Sequence, residues 1–289
     1  MNLWEKFLRI TYRTAAEPYL KKYNEKSLET VLQKSLLLLD ESFVNEIKNR
    51  LRQWVFNDGG FTNRDGRSDL YYSLFGCFTA EVLSVNEIFP WLKKYVNTKI
   101  GDPSLSGINL RCAAILYAKL NGFDSTTEKL ISKIKGEMSN SEKTNYSTFL
   151  DILAFYYLQD FRSLHRLVKS SIFDFKSESP STVVAAMAVL NGIGQKSTKD
   201  FEDKLMSYYR GNGGFAALQK APITDLLSTA VSLYALHFID SNLTNIKPDC
   251  LTFVDNLYLN GGFCATELDF DIDIEYTFYG LLALGALAE

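Results

Sequence analysis

Apolar residues dominate six stretches of this chain: 69–84, 104–120, 145–158, 180–193, 225–239 and 273–287. Each predicts a helix that is apolar almost all round, VVAAMAVL (183–190) being the plainest case. Six further segments, 41–55, 87–98, 126–138, 161–172, 198–210 and 247–259, mix charged and apolar positions, the pattern of a helix with one wet and one buried face. Gly, Asn, Asp, Ser and Pro collect between these runs and break them. The expected chain is therefore all-α, with amphipathic and fully buried helices in alternation. The N-terminus predicts one more amphipathic helix, with Trp4, Phe7, Leu8 and Tyr12 set among Lys6, Arg9 and Arg13. Such a helix either packs on the outside of the domain or docks on a membrane surface or a partner.

Three of the apolar runs open with variants of one unit. They read GGFTNRDGRSDLYYSLFGCF (59–78), GGFAALQKAPITDLLSTAVSLYAL (213–236) and GGFCATELDFDIDIEYTFYGLLAL (261–284). Gly-Gly-Phe is followed by a polar loop, an Asp, and a helix start bearing Tyr or Ser and then Ser or Thr. The clear starts are Asp69 (Tyr72, Ser73), Asp225 (Ser228, Thr229) and Asp273 (Tyr276, Thr277). Looser versions begin at Asp102 (Leu105, Ser106), Thr144 (Ser147, Thr148) and Glu178 (Ser181, Thr182). Internal repetition of this kind points to stacked helical hairpins closed into a ring. An acid at a helix start has a structural reason, since the first turn leaves N–H groups unpaired and a carboxylate accepts from them. The glycine pair ends the outer helix and turns the chain, and the Phe is expected to plug the core beneath the loop.

The last repeat, Asp273-x-x-Tyr276-Thr277-Phe-Tyr-Gly-Leu-Leu-Ala-Leu284 behind its Gly-Gly-Phe, resembles the repeat of protein prenyltransferase β subunits and squalene/terpene cyclases. The resemblance implies an α/α toroid of six inner and six outer helices spanning 1–289 as one domain, with 1–40 a helical extension packed on it. It also implies isoprenoid chemistry in a central cavity. Prenyltransferases hold zinc through Asp-x-Cys at one inner helix and a His at a later one. Here Leu227 or Glu275 stands where the Cys would be and Tyr276 where the His would be, so no zinc site of that type is expected. The two histidines, His165 and His237, fall elsewhere and are expected to be structural or on the surface. The Asp-x-Asp-Asp acid of the cyclases is also missing.

Composition narrows the function classes. The chain has 289 residues, 46% apolar and 22% charged, with a net charge of −3, which suits a large globular domain and gives no basic excess for nucleic acid. Cys77, Cys112, Cys250 and Cys264 show no CxxC spacing, so reduced thiols and a cytoplasmic setting are expected. The charged N-terminus does not read as a signal peptide, and no run approaches a membrane span. Cys264, directly after Gly-Gly-Phe, is expected to be exposed but has no evident base beside it.

Candidate chemistry gathers at the inner-helix starts. Glu267, Asp269, Asp271, Asp273 and Glu275 alternate along the last loop, and crowding of like charges raises at least one pKa. Asp273 is expected to stay ionised as a cap, leaving Asp271 or Glu275 as proton donor; these three are the candidate catalytic residues. A solvated acidic loop, a Mg²⁺ site or a docking surface for a basic partner are the other readings of the same run. Asp69, Tyr72, Arg111, Asp225, Tyr276 and Arg67 are the candidate substrate contacts, and Arg64, Arg67 and Lys220 the candidate donors to a diphosphate. Arg111, inside the otherwise apolar start of LRCAAILYAKL, needs a partner, either in the lumen or at Asp151 on the next inner helix. Tyr71, Tyr72, Phe75, Tyr117, Phe149, Tyr234, Tyr276 and Phe278 supply rings that either line the cavity, where they would stabilise cationic carbon, or face neighbouring helices. Two functions fit: an isoprenoid- or lipid-handling enzyme, or a non-catalytic toroid that binds a lipid, peptide or protein partner.

Overall fold

The structure, a computed structural model, describes residues 3–140, 145–170 and 175–288. It is all-α, with extensive helix–helix packing in a helical-repeat, toroid-like arrangement. The helices are α1 (Leu3–Glu25), α2 (Leu28–Ser35), α3 (Glu41–Gln53), α4 (Leu70–Val82), α5 (Phe89–Ile100), α6 (Gly107–Asn121) and α7 (Ser125–Asn140). They continue as α8 (Asn145–Tyr157), α9 (Phe161–Ser170), α10 (Ser181–Ile193), α11 (Lys199–Met206), α12 (Leu226–Phe238), α13 (Lys247–Asn256) and α14 (Ile274–Leu287). The six apolar runs coincide with α4, α6, α8, α10, α12 and α14. Each of these packs on the next, and α14 returns to α4, so their contact order is cyclic. The amphipathic segments form the helices between them, with α5 spanning α4 and α6, and α11 spanning α10 and α12.

The Gly-Gly-Phe units build the same local structure three times. The first glycine lies at φ +93° (Gly59), +90° (Gly213) and +85° (Gly261), a region a side chain resists. A Cβ there would also strike the backbone of the following outer helix: the carbonyl of Trp91 on α5, of Asp249 on α13 and, for Gly261, of Glu46 on α3. The last of these joins the end of the chain to its first amphipathic segment. The Phe is buried in every copy. Its N–H donates to a hydroxyl on the first turns of the following helix: Phe61 to Ser73 at 2.9 Å, Phe215 to Thr229 at 2.9 Å and Phe263 to Thr277 at 3.3 Å. Thr229 and Thr277 donate in turn to the Asp225 and Asp273 carbonyls. The expected loops are tiny antiparallel hairpins, with strands β1 (Phe61–Thr62) and β2 (Ser68–Asp69) in the first, and β3 (Tyr258–Leu259), β4 (Gly262–Cys264) and β5 (Ile272–Asp273) at the last.

The strong starts cap as expected. Asp69 accepts from the N–H groups of Tyr71 and Tyr72, Asp225 from Ser228 and Asp273 from Tyr276. The loose starts need correction. Asp102 holds Ser104 in its own turn, and α6 begins further on at Gly107, whose N–H is accepted by the Glu137 carboxylate from α7. Glu178 bonds its neighbour Ser177; the first N–H of α10, from Ser181, donates to the Ala217 carbonyl of the second hairpin. Thr144 lies outside the described residues. Helix α1 packs on α9 and α10, while the side chains of Trp4, Lys6, Phe7, Leu8 and Arg9 lie outside the described residues. Helix α2 is not peripheral. It packs on α14 and α4, so closely that a Cβ on Gly285 would sit 1.9 Å from the Val31 carbonyl oxygen.

Candidate functional site

Helical periodicity turns one stripe of each ring helix toward a common space. Tyr71, Leu74, Phe75 and Phe78 of α4 follow the i, i+3, i+4, i+7 spacing of a single face, as do Thr182, Ala185, Ala186 and Val189 of α10. With Cys112 of α6 and stripes from α8, α12 and α14 they line a cavity of about 330 Å³. That lies at the small end of the ~300–1,000 Å³ range of small-molecule sites. Aliphatic and aromatic side chains make almost all of the wall; Thr182, Cys112 and the tyrosine hydroxyls are its polar exceptions. Among the described residues, Leu28 of α2 is the one lining side chain from outside these six helices.

One end of the cavity carries the three hairpins. The first and third meet through Arg64, whose guanidinium reaches Asp273 at 2.6 Å and Asp269 at 3.0 Å. The second and third meet where the Leu226 N–H donates to the Ala265 carbonyl. On α14, Phe278, Tyr279 and Leu282 line the cavity, and Glu275 occupies the preceding place on the same stripe, one turn nearer the end. Its carboxylate accepts from the Tyr71 hydroxyl at 2.9 Å, and the Tyr72 phenol approaches it too. Burial pushes the Glu275 pKa up, the Asp273 charge adds to the rise, and the two phenols and Arg64 oppose it. Burial and the Glu275 charge likewise raise Tyr72, and Tyr276 is pushed up to about 12. Arg64 lies 5.1 Å over the Tyr276 ring. Asp225 is raised by burial, against hydrogen bonds from the Ser228 N–H and hydroxyl and the Leu227 N–H.

The structure separates the candidates that sequence spacing treats alike. Of the three candidate catalytic acids, Glu275 is at the cavity's end, Asp273 is engaged by the helix start and Arg64, and Asp271 is exposed on the hairpin. Asp69 is a cap. Tyr72, Tyr276 and Asp225 flank the mouth. Arg67 is exposed on the first hairpin. Arg111 is buried with Asp151 at 2.8 Å, with Glu137 and with the Gly107 carbonyl, and its neighbour Cys112 faces the cavity instead. It is a structural ion cluster between α6, α7 and α8. Cys264 is buried, which corrects the expected exposure, and burial raises its thiol.

Among the described residues, metal binding finds no fitting donor set. Arg64 bridges the Asp269 and Asp273 carboxylates that a Mg²⁺ ion would need. Leu227, Glu275 and Tyr276 offer no zinc-type combination, and among the described residues no three His, Cys, Asp or Glu side chains converge on one point.

The opposite end was not legible in the sequence. The α1–α2 junction closes it. Glu29 pairs with Lys119 at 2.8 Å and accepts from the Tyr157 hydroxyl at 2.8 Å; Lys119 also pairs with Glu81 at 2.8 Å. The Lys119 ammonium lies 4.7 Å from the Phe78 ring centre and 5.2 Å from that of Tyr157. Tyr234, a cavity residue, donates to the Lys26 carbonyl at 2.9 Å, and Lys26 pairs with Asp240. Lys119 lies in the same apolar run as Arg111, and a charge so placed is the signal the sequence offered.

No protein-family model matches this chain, and no curated protein is significantly similar to it. Among the described residues no helix is long and apolar enough to cross a membrane.

Proposed function

We propose that the chain is an α/α toroid of six helical hairpins whose lumen takes an isoprenoid or related lipid chain, in the manner of the prenyltransferase and cyclase repeats it resembles. The observation that carries this reading is the cavity itself, walled by all six apolar helices and almost free of polar side chains. A chain placed there leaves water and buries apolar area, at about 25 cal/mol per Å². If the site is catalytic, Glu275 is the group placed to deliver a proton: it lies on the cavity stripe, and its burial favours the protonated form. The rings of Tyr71, Phe75, Phe278 and Tyr279 then face the positive charge that protonation creates.

The test is native mass spectrometry with geranyl, farnesyl and geranylgeranyl alcohols and diphosphates, followed by product analysis of the same samples. A retained one-to-one complex is expected; failure to retain any chain would end the reading. A second reading, a partner-binding module, draws on Leu268 and Phe270, 78% and 77% exposed on the third hairpin, with Leu218 and Ile223 exposed on the second. Under it, substituting Leu268 and Phe270 with Ser abolishes partner capture and leaves chain binding intact.

A further inference from the structure

The mouth of the cavity is acidic where a diphosphate site would be basic. Asp225, Asp269, Asp273 and Glu275 stand around it, and the guanidinium nearest to them, Arg64, is already shared between Asp269 and Asp273. Glu275 makes no direct ion pair among the described residues; its carboxylate is hydrogen-bonded by phenols, and the Arg64 charge acts on it from further off. Around it lie aromatic rings in edge-to-face contact, Tyr71 with Tyr72 at 6.0 Å and with Phe75 at 4.7 Å, and Tyr276 with Tyr279 at 6.4 Å.

The other end of the same cavity shows what completes such an arrangement. There the carboxylate of Glu29 accepts from the Tyr157 phenol, as Glu275 accepts from Tyr71. The third member is the Lys119 ammonium, seated against the carboxylate and over the Phe78 and Tyr157 rings. At the mouth the carboxylate, the phenol and the rings are present, but the cation there, Arg64 over the Tyr276 ring, pairs with Asp269 and Asp273, so a cation seated on Glu275 would have to come from a ligand. Resting on the reading of the cavity as an apolar-chain site, we infer that Glu275 and the surrounding rings bind the cationic head of an amphiphile, an alkyl or isoprenoid ammonium, whose tail fills the cavity. A carboxylate and ring faces are the chemistry that recognises organic ammonium ions. An anionic head meets like charge at the same place.

Three probes with one tail separate the claims: decyltrimethylammonium, decanol and decyl phosphate, each titrated below its micelle concentration. The ammonium is expected to bind roughly tenfold or more tightly than decanol, with the phosphate weakest. Glu275→Gln should bring the ammonium down to the level of decanol, whereas Glu267→Gln, an exposed acid of the same hairpin, should keep the preference. In the unmutated protein the ammonium preference should fade as pH drops and Glu275 takes up its proton. Asp273, Tyr71, Tyr72 and Arg64 face that carboxylate, but the probe's own charge does not titrate. Decanol binding with no head-group preference, a phosphate preference, or a Glu275→Gln protein that still favours the ammonium would overturn this inference and leave the apolar-chain reading standing. Failure of all three probes would overturn both.

Discussion

The two ends of the cavity are built from the same pair, a glutamate held by a tyrosine hydroxyl, and differ in what completes it. At the floor, Lys119 pairs with both Glu29 and Glu81, tying the start of α2 to α4 and α6. Burial alone would lower the Lys119 pKa; the two carboxylates outweigh it and raise it. At the mouth, Glu275 has phenols but no ammonium, and burial leaves it with a raised pKa. The floor is a finished structural joint. The mouth carries a partly buried carboxylate with no ion pair of its own among the described residues, one turn from the cavity wall, which costs stability and fits a site completed by a ligand.

The largest expected effect falls on the floor. Gly285→Ala drives a Cβ into the Val31 carbonyl and must lift α2 from α14; we expect a loss of about 3 kcal/mol in urea unfolding. Lys119→Met leaves Glu29 and Glu81 without their cation and should cost about 3 kcal/mol, near the lower end for broken buried pairs because both acids keep some water. Adding Glu29→Gln to Lys119→Met should recover part of that loss; additive costs would show that the pair does not act as a joint.

The mouth is expected to respond more weakly. Thr277→Val leaves the buried Phe263 N–H without an acceptor and should cost about 1–2 kcal/mol. Asp225→Ala removes a cap and should cost about 1 kcal/mol. Glu275→Gln should show the smallest effect, and with the opposite sign. A carboxyl whose folded-state pKa is raised contributes stability below its unfolded pKa, and that contribution is lost as pH rises through the folded value. The variant should therefore melt slightly above wild type at pH 8, with the gap closing toward pH 4. A gap that widens on acidification would contradict the buried, unpaired state of Glu275.

The sequence carried the helices well because buried helices read as unbroken apolar runs, and the ring helices are buried on nearly every side. It carried three caps because Asp69, Asp225 and Asp273 act on their own helix starts. It did not carry the caps of α6 and α10, because the acceptors for Gly107 and Ser181 come from Glu137 and Ala217, far along the chain. The helix ends were equally silent. Ser84, Gln159, Gln195 and Asp240 take positive φ just past α4, α8, α10 and α12, the place where glycine would have announced a stop. Spacing also made Asp271, Asp273 and Glu275 look like one comb. The switch from strand to helix at Ile274 breaks that alternation and puts Glu275 alone on the cavity stripe.

The most direct test of the central claim is to fill the cavity from its wall. Ala186 and Val231 line it from α10 and α12 and are only partly buried, so Ala186→Trp can place a ring in the lumen without displacing the core behind it. The expected result is a protein with a wild-type melting temperature that no longer retains farnesol or decanol in native mass spectrometry. Undiminished binding in that folded variant would place the chain elsewhere and contradict the account.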